Sequence, residues 1–168
     1  MKRISKEKEV EFIASFESFS DALFRHSFFR VSQREIALDL VQDTFTKTWN
    51  HIVRGGDIQN MKSFLYQVMN NLIIDYYRKH KSSSLDILIE DGFDPSEEGG
   101  VAIIQNAEIE NIKKSLSGLS EKDQEVIVMR YIDGLSLKEI SDIIKESENV
   151  VSVRIHRATE KLKSIIKP

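Results

Sequence analysis

Apolar residues recur every three to four positions over most of this chain, the spacing of helices that pack on one side. From Val10 to Phe29 the repeat is carried by Phe12, Phe16, Phe19, Phe24, Phe28 and Phe29, which predicts a first helix whose aromatic stripe is core. A second helix is expected from Ser32, where Glu35 three residues on completes a capping-box pattern. At about 100° per residue, Ala37, Leu38, Val41, Phe45, Trp49 and Ile52 share one side of it, and Asp39, Gln42, Asp43, Thr46 and Asn50 the other. Spacing alone leaves that polar stripe open: it is either a solvated face or a docking surface.

Gly55 and Gly56 break the period within Val53 to Ser63, a loop where Asp57 and Asn60 suit a turn or a helix N-cap. Phe64 to Lys79 resumes it, with Leu65, Val68, Met69, Leu72 and Tyr76 on the buried side and Gln67, Asn71 and Arg78 on another. The segment ends in Tyr76, Tyr77, Arg78, Lys79, His80 and Lys81. Basic groups beside aromatic ones suit phosphate neutralisation and stacking on unpaired bases, although a basic helix end also complements the helix dipole.

Beyond this point the pattern stops. Ser82 to about Gln105 holds a serine run, Gly92, Pro95, Gly99 and Gly100, and reads as an extended or disordered linker. Helical spacing returns from Glu108 to Leu116, with Ile109, Ile112 and Leu116 on one side. Ser120 with Asp123 and Ser136 with Glu139 mark two further helix starts. The first of these helices stops at Asp133-Gly134, and the second runs from Leu137 to Ile144. After a short polar break, a last helix from about Asn149 to Ile166 turns Val151, Ile155, Ala158, Leu162 and Ile166 inward.

Two helices joined in this way make a helix-turn-helix. The outward face of the last helix carries Ser152, Val153, His156 and Arg157, with Arg154, Lys161 and Lys163 flanking them as phosphate contacts. Val153 is informative because folding gives a valine no reason to stand on a polar face. Contact with a thymine methyl does.

Composition narrows the classes. The chain has 168 residues, 40% hydrophobic and 30% charged, with no cysteine, enough apolar material for two small cores. Disulfides, thiolate metal sites and cysteine nucleophiles are excluded. His26, His51, His80 and His156 show no ligand spacing, and neither a phosphate-binding glycine loop nor a catalytic triad is present. No cofactor and no enzymatic activity are expected. No signal peptide or membrane span is evident, so a cytoplasmic location without membrane insertion is expected. The net charge of −3 argues against nucleic acid only until its distribution is seen. Ser82 to Ile112 holds eight acids and no Lys or Arg, which leaves the rest of the chain net basic.

Four motifs in one order then carry a resemblance: DLVQDTF with Trp49; FLYQVMNNLIIDYYRK; LSEKDQEVIVMRYIDGLSLKEISDII; and VRIHRA before a lysine-rich end. The chain resembles bacterial RNA polymerase sigma factors of the extracytoplasmic-function class. The resemblance implies an all-α fold of two small helical domains, residues 1–81 and 108–168, joined by a flexible acidic linker over 82–107. It implies core RNA polymerase as a partner, through its clamp coiled coil and flap, with Asp39, Gln42, Asp43 and Thr46 on the clamp side. Promoter DNA is the second implied partner. Arg54, Asn60, Lys62, Gln67, Asn71, Arg78 and Lys79 match the minus-ten surface, where a base flipped from the non-template strand is captured. Asn149, Ser152, Val153, Arg154, His156, Arg157 and Lys161 match the minus-thirty-five surface. An anti-sigma factor is a further partner of many such proteins.

Three departures from the family pattern stand out. Asn70 replaces a common arginine, Lys145 and Glu146 replace a glycine and an aliphatic residue in the turn, and Val150, Ser152 and Val153 depart from the usual Thr-Val-Lys-Ser run, so base preference does not transfer. A stand-alone helix-turn-helix regulator and a sigma-like competitor for the clamp are the two alternatives.

Overall fold

The structure, a computed structural model, describes residues 3–81 and 100–166. Side chains are described from 3 to 80 and from 107 to 166. The central part of the expected linker lies outside the described residues. All regular structure among those described is helical: α1 (Lys6–Val31), α2 (Arg34–Val53), α3 (Met61–Lys81), α4 (Gly100–Ser117), α5 (Glu121–Ile127), α6 (Leu137–Ile144) and α7 (Glu148–Ile166). A single π-helical turn, Val128–Ile132, continues α5.

Helices α1 to α3 pack on one another around Leu23, Ala37, Leu40, Phe45, Leu65, Tyr66, Met69 and Ile73, all buried. Thr44 and Thr48 enter this core because each hydroxyl is satisfied by a carbonyl one turn back. Thr44 donates to the Leu40 carbonyl at 2.7 Å and Thr48 to that of Thr44 at 2.8 Å. Leu116, Val126, Met129, Leu135, Ile140, Val151, Ile155 and Ala158 extend the same apolar cluster through α4 to α7.

The chain departs from its apolar pattern at four positions. Phe16, Leu38, Ile112 and Ile166 sit on stripes that read as core yet are 49%, 44%, 44% and 62% exposed. Phe16 and Leu38 line an open apolar groove, and Ile166 is the last residue of α7. The start of α2 also differs. Ser32 adopts a left-handed conformation (φ 61°) and its N–H bonds to the Phe28 carbonyl at 2.9 Å, so it closes α1. Gln33 then occupies the N-cap without a side-chain bond. With so short a connection, one residue cannot both end a helix and cap the next. Helix α4 starts at Gly100, earlier than the expected domain start at Glu108.

The other helix starts follow the reading. Ser120 accepts from the Asp123 N–H, and Ser136 with Glu139 forms a capping box with both bonds made, at 3.1 and 2.8 Å. Asn60 caps α3 through the Ser63 N–H at 3.0 Å. Lys145 takes the left-handed turn between α6 and α7, with φ 61° and ψ 37°.

Candidate polymerase and nucleic-acid surfaces

On α2 the polar stripe is exposed along its length: Asp39, Gln42, Asp43 and Thr46 all face solvent. The Thr46 hydroxyl donates back to the Gln42 backbone carbonyl at 2.9 Å. Gln42 and Thr46 form the polar edge of an open apolar groove of about 700 Å³ floored by Phe12, Phe16, Phe24, Val41, Phe45 and Trp49. Phe12 lies against Trp49 at a centroid distance of 4.9 Å, and Phe16 against Phe45 at 4.8 Å. An aromatic floor edged by an amide and a hydroxyl suits a partner helix that brings apolar and polar residues on one face.

The loop from Arg54 to Asn60 is shaped by its glycines. Gly55 has φ 85°, a conformation that favours glycine. Gly56 lies so close to the His51 ring that a Cβ there would come within 2.2 Å of it. His51 in turn packs on Phe64 at 4.8 Å. Arg54 and Asn60 are exposed, and Arg54 shares a surface depression with Lys47 and Asn50. On α3, Asn71, Arg78 and Lys79 are exposed, and Arg78 holds Asp75 at 2.7 Å. Tyr77 is turned inward, its hydroxyl donating to the Arg30 carbonyl, and burial raises its pKa above the ordinary value. It is placed as a brace for α1 rather than as a stacking platform.

Two residues of this surface meet the second half of the chain. Lys62 pairs with Glu139 at 2.9 Å, and the Gln67 amide donates to the Asp142 carbonyl at 3.1 Å. The Glu139 carboxyl is held below its ordinary pKa, first by the Ser136 N–H and then by Lys62. Gln67, Asn70, Asn71, Lys145 and Arg154 line a cleft of about 280 Å³ between α3 and the helix-turn-helix.

Helix α7 presents Ser152, Val153, His156, Arg157 and Asn149 to solvent on one side. Val153 is 43% exposed. Asn149, Val153, Arg157 and Lys161 share a shallow depression with Asp123, which pairs with Lys161 at 2.9 Å. Arg154 lines the same depression and forms an ion pair with Glu146 at 3.8 Å.

The sequence reading missed a buried polar set. His26, Arg30, Asn70, Glu125 and the Asp133 side chain are all almost fully buried. Asn70 accepts from Arg30 at 3.3 Å and donates to Glu125; His26 Nδ1 meets Asp133 at 2.6 Å. Burial lowers the pKa of the Arg30 guanidinium, and Glu125 opposes that shift. A signal was present, because His26 and Arg30 are four apart on the helical stripe of Leu23 and Ser27, where polar residues need partners. Among the described residues no cluster of His, Cys, Asp or Glu is placed to hold a metal, and no helix is long and apolar enough to cross a membrane.

Comparison with known proteins agrees on both halves. Residues 16–83 match the Sigma-70 region 2 family, and residues 115–164 match Sigma-70, region 4. The RNA polymerase sigma factor SigZ of Bacillus subtilis is 30% identical over 153 residues, covering 90% of this chain and 84% of the relative. The ECF RNA polymerase sigma factor SigM of the same organism is 29% identical over 160 residues, covering 89% and 91%. In fold, the chain is similar to the sigma factor RpoE solved with the anti-sigma factor NepR from Bartonella quintana, with a TM-score of 0.68 at 22% identity over 94% of this chain and 97% of that one. The chain belongs to the sigma-70 family, as an extracytoplasmic-function RNA polymerase sigma factor that serves transcription initiation.

Proposed function

We propose that this sigma factor divides its work among three surfaces. The α2 stripe of Asp39, Gln42, Asp43 and Thr46, with the apolar groove beside it, seats on the clamp coiled coil of core polymerase. The loop and α3 surface, with Arg54, Asn60, Lys62, Gln67, Asn71, Arg78 and Lys79, takes the minus-ten element as a single strand. The outward face of α7, with Asn149, Ser152, Val153, Arg154, His156, Arg157 and Lys161, reads the minus-thirty-five duplex in the major groove. The observation that carries this division is exposure: the α2 stripe and the α7 face remain open to solvent while the apolar face of each helix is buried.

Residues 1–81 and 108–168 form the two functional domains under this reading, with the acidic linker between them. No chemistry of its own is required of the chain. Capture of an unpaired base offsets the few kcal/mol of unstacking and unpairing, and phosphate contacts supply sequence-independent affinity. The work is cytoplasmic, where polymerase and DNA are. RpoE, similar in fold, was solved with an anti-sigma factor, and a partner of that kind is the expected inhibitor here.

The test is transcription in vitro with purified chain, core polymerase and a random promoter library. Transcripts whose upstream DNA shares two spaced elements are the expected result. Core binding without transcripts would instead identify a clamp competitor, and absence of core binding a stand-alone regulator.

A further inference from the structure

The exposed stripe of α2 changes sign along its length. At 100° per residue, Asp39, Asp43, Lys47, Asn50 and Arg54 fall within about 80° of one another, and all five are exposed. The first two are acids of the proposed clamp surface. From Lys47 to Arg54 the helix carries Lys47, His51 and Arg54 and no acid. A partner surface of one charge fits one half of such a stripe and not both.

The basic half is hollowed. Lys47, Asn50, His51, Arg54 and Gly56 line an open depression of about 560 Å³. Its wall is closely packed: a Cβ on Gly56 would come within 2.2 Å of the His51 ring, and that ring packs on Phe64 at 4.8 Å. Gly55, at φ 85°, turns the chain so that the Gly56 N–H reaches the His51 carbonyl at 2.9 Å.

Two ordinary uses of cations at such a place do not apply here. Basic residues in a last turn commonly satisfy free carbonyls, but those of Asn50, His51 and Ile52 already accept the N–H groups of Arg54, Gly56 and Gly55, at 3.1, 2.9 and 3.0 Å. Surface cations also pair with carboxylates, as Lys62, Arg78 and Lys161 do. Among the described residues neither Lys47 nor Arg54 forms an ion pair. Asp57, the acid of the loop, receives the Gln59 amide at 2.5 Å instead. Two cations and an amide around a hollow, with no carboxylate among them, suit a ligand that brings negative charge on acceptor oxygens.

We propose that Lys47, Asn50 and Arg54 form a seat for a backbone phosphate of the single-stranded promoter, beside the loop that takes the minus-ten element. The inference rests on that reading of the loop and extends it onto α2. Lys47 and Arg54 neutralise the phosphate, the Asn50 amide donates to one of its oxygens, and His51 is the wall against which the loop is set. A strand anchored there by its backbone is fixed in register while its bases are read by other groups, so the seat itself carries no sequence information. Helix α2 then serves polymerase with its acidic half and DNA with its basic half.

The test uses the full chain assembled with core polymerase and a fluorescent pool of short random-sequence single strands, titrated by anisotropy at several salt concentrations. Lys47→Ala is expected to weaken binding on the order of fivefold and to flatten the dependence of log affinity on log salt by about 0.7. The sequences enriched from the pool should remain those of the native chain, and Lys47→Arg should restore both affinity and slope. Asn71→Ala, on the proposed minus-ten surface, is expected to change the enriched sequences instead. Affinity of Lys47→Ala for core polymerase, measured separately, should equal that of the native chain. Native affinity and slope for single strands in Lys47→Ala would overturn the seat. So would a loss of core binding, which would give Lys47 to the clamp. Single-strand binding by the native assembly no tighter than by core polymerase alone would overturn the minus-ten reading itself, and the seat with it.

Discussion

At the scale of single residues, the site depends on groups whose role is set by one neighbour. Gly56 is required because the His51 ring fills the space of its Cβ. Gly56→Ala should cost about 1–3 kcal/mol as His51 is pushed off Phe64, read as a lower midpoint in urea with an unchanged slope. Glu139 couples a helix cap of the second domain to Lys62 of the first, and its lowered pKa fixes a sign. Its contribution is complete above the ordinary carboxylate value of 4.5 and is lost as the pH falls through the lower folded value. The difference in thermal midpoint between the native chain and Glu139→Gln is therefore expected at neutral pH and should vanish in acid below 4.5. An equal difference at every pH would contradict this role. The residues least legible in the sequence were of the same kind. His26 and Asp133 stand 107 positions apart, and nothing local to either names the other.

At the scale of elements, the helices were legible because their apolar period and their caps agreed. Ser120, Ser136 and Asn60 each cap the helix that the spacing required. Ser32 was misread because its local pattern suits an N-cap, whereas the short connection makes it the left-handed end of α1. Lys145 was legible as a departure, and the turn pays for it: a non-glycine residue in the left-handed region costs about 1 kcal/mol. Lys145→Gly should raise the thermal midpoint by a few degrees without changing DNA preference. On α7 the faces divide the effects. Val153→Ala should change which sequences are bound, whereas Lys161→Ala should weaken binding to all of them and flatten its salt dependence by about one unit. Equal losses in both, measured by titration across a set of duplexes, would mean that the face is wrongly assigned.

At the scale of the whole molecule, one apolar cluster joins the two halves, and the proposed function assigns three surfaces around it to polymerase and DNA. The order of motifs made the family legible before any contact was known. What the order could not carry was the packing of one half on the other, because the apolar cluster they share and the polar pairs across it join residues far apart in the chain. The proposed function places the α2 stripe at the centre, since promoter reading by a sigma factor follows from its binding to core polymerase. Asp43 is exposed in the middle of that stripe and is absent from the buried set. The most direct measurement is the equilibrium affinity of the Asp43→Lys chain for core polymerase beside that of the native chain. Reversal of a charge at the contact is expected to weaken binding by on the order of tenfold or more with no shift in the thermal unfolding midpoint; an unchanged affinity would contradict the assignment of α2 to the polymerase clamp.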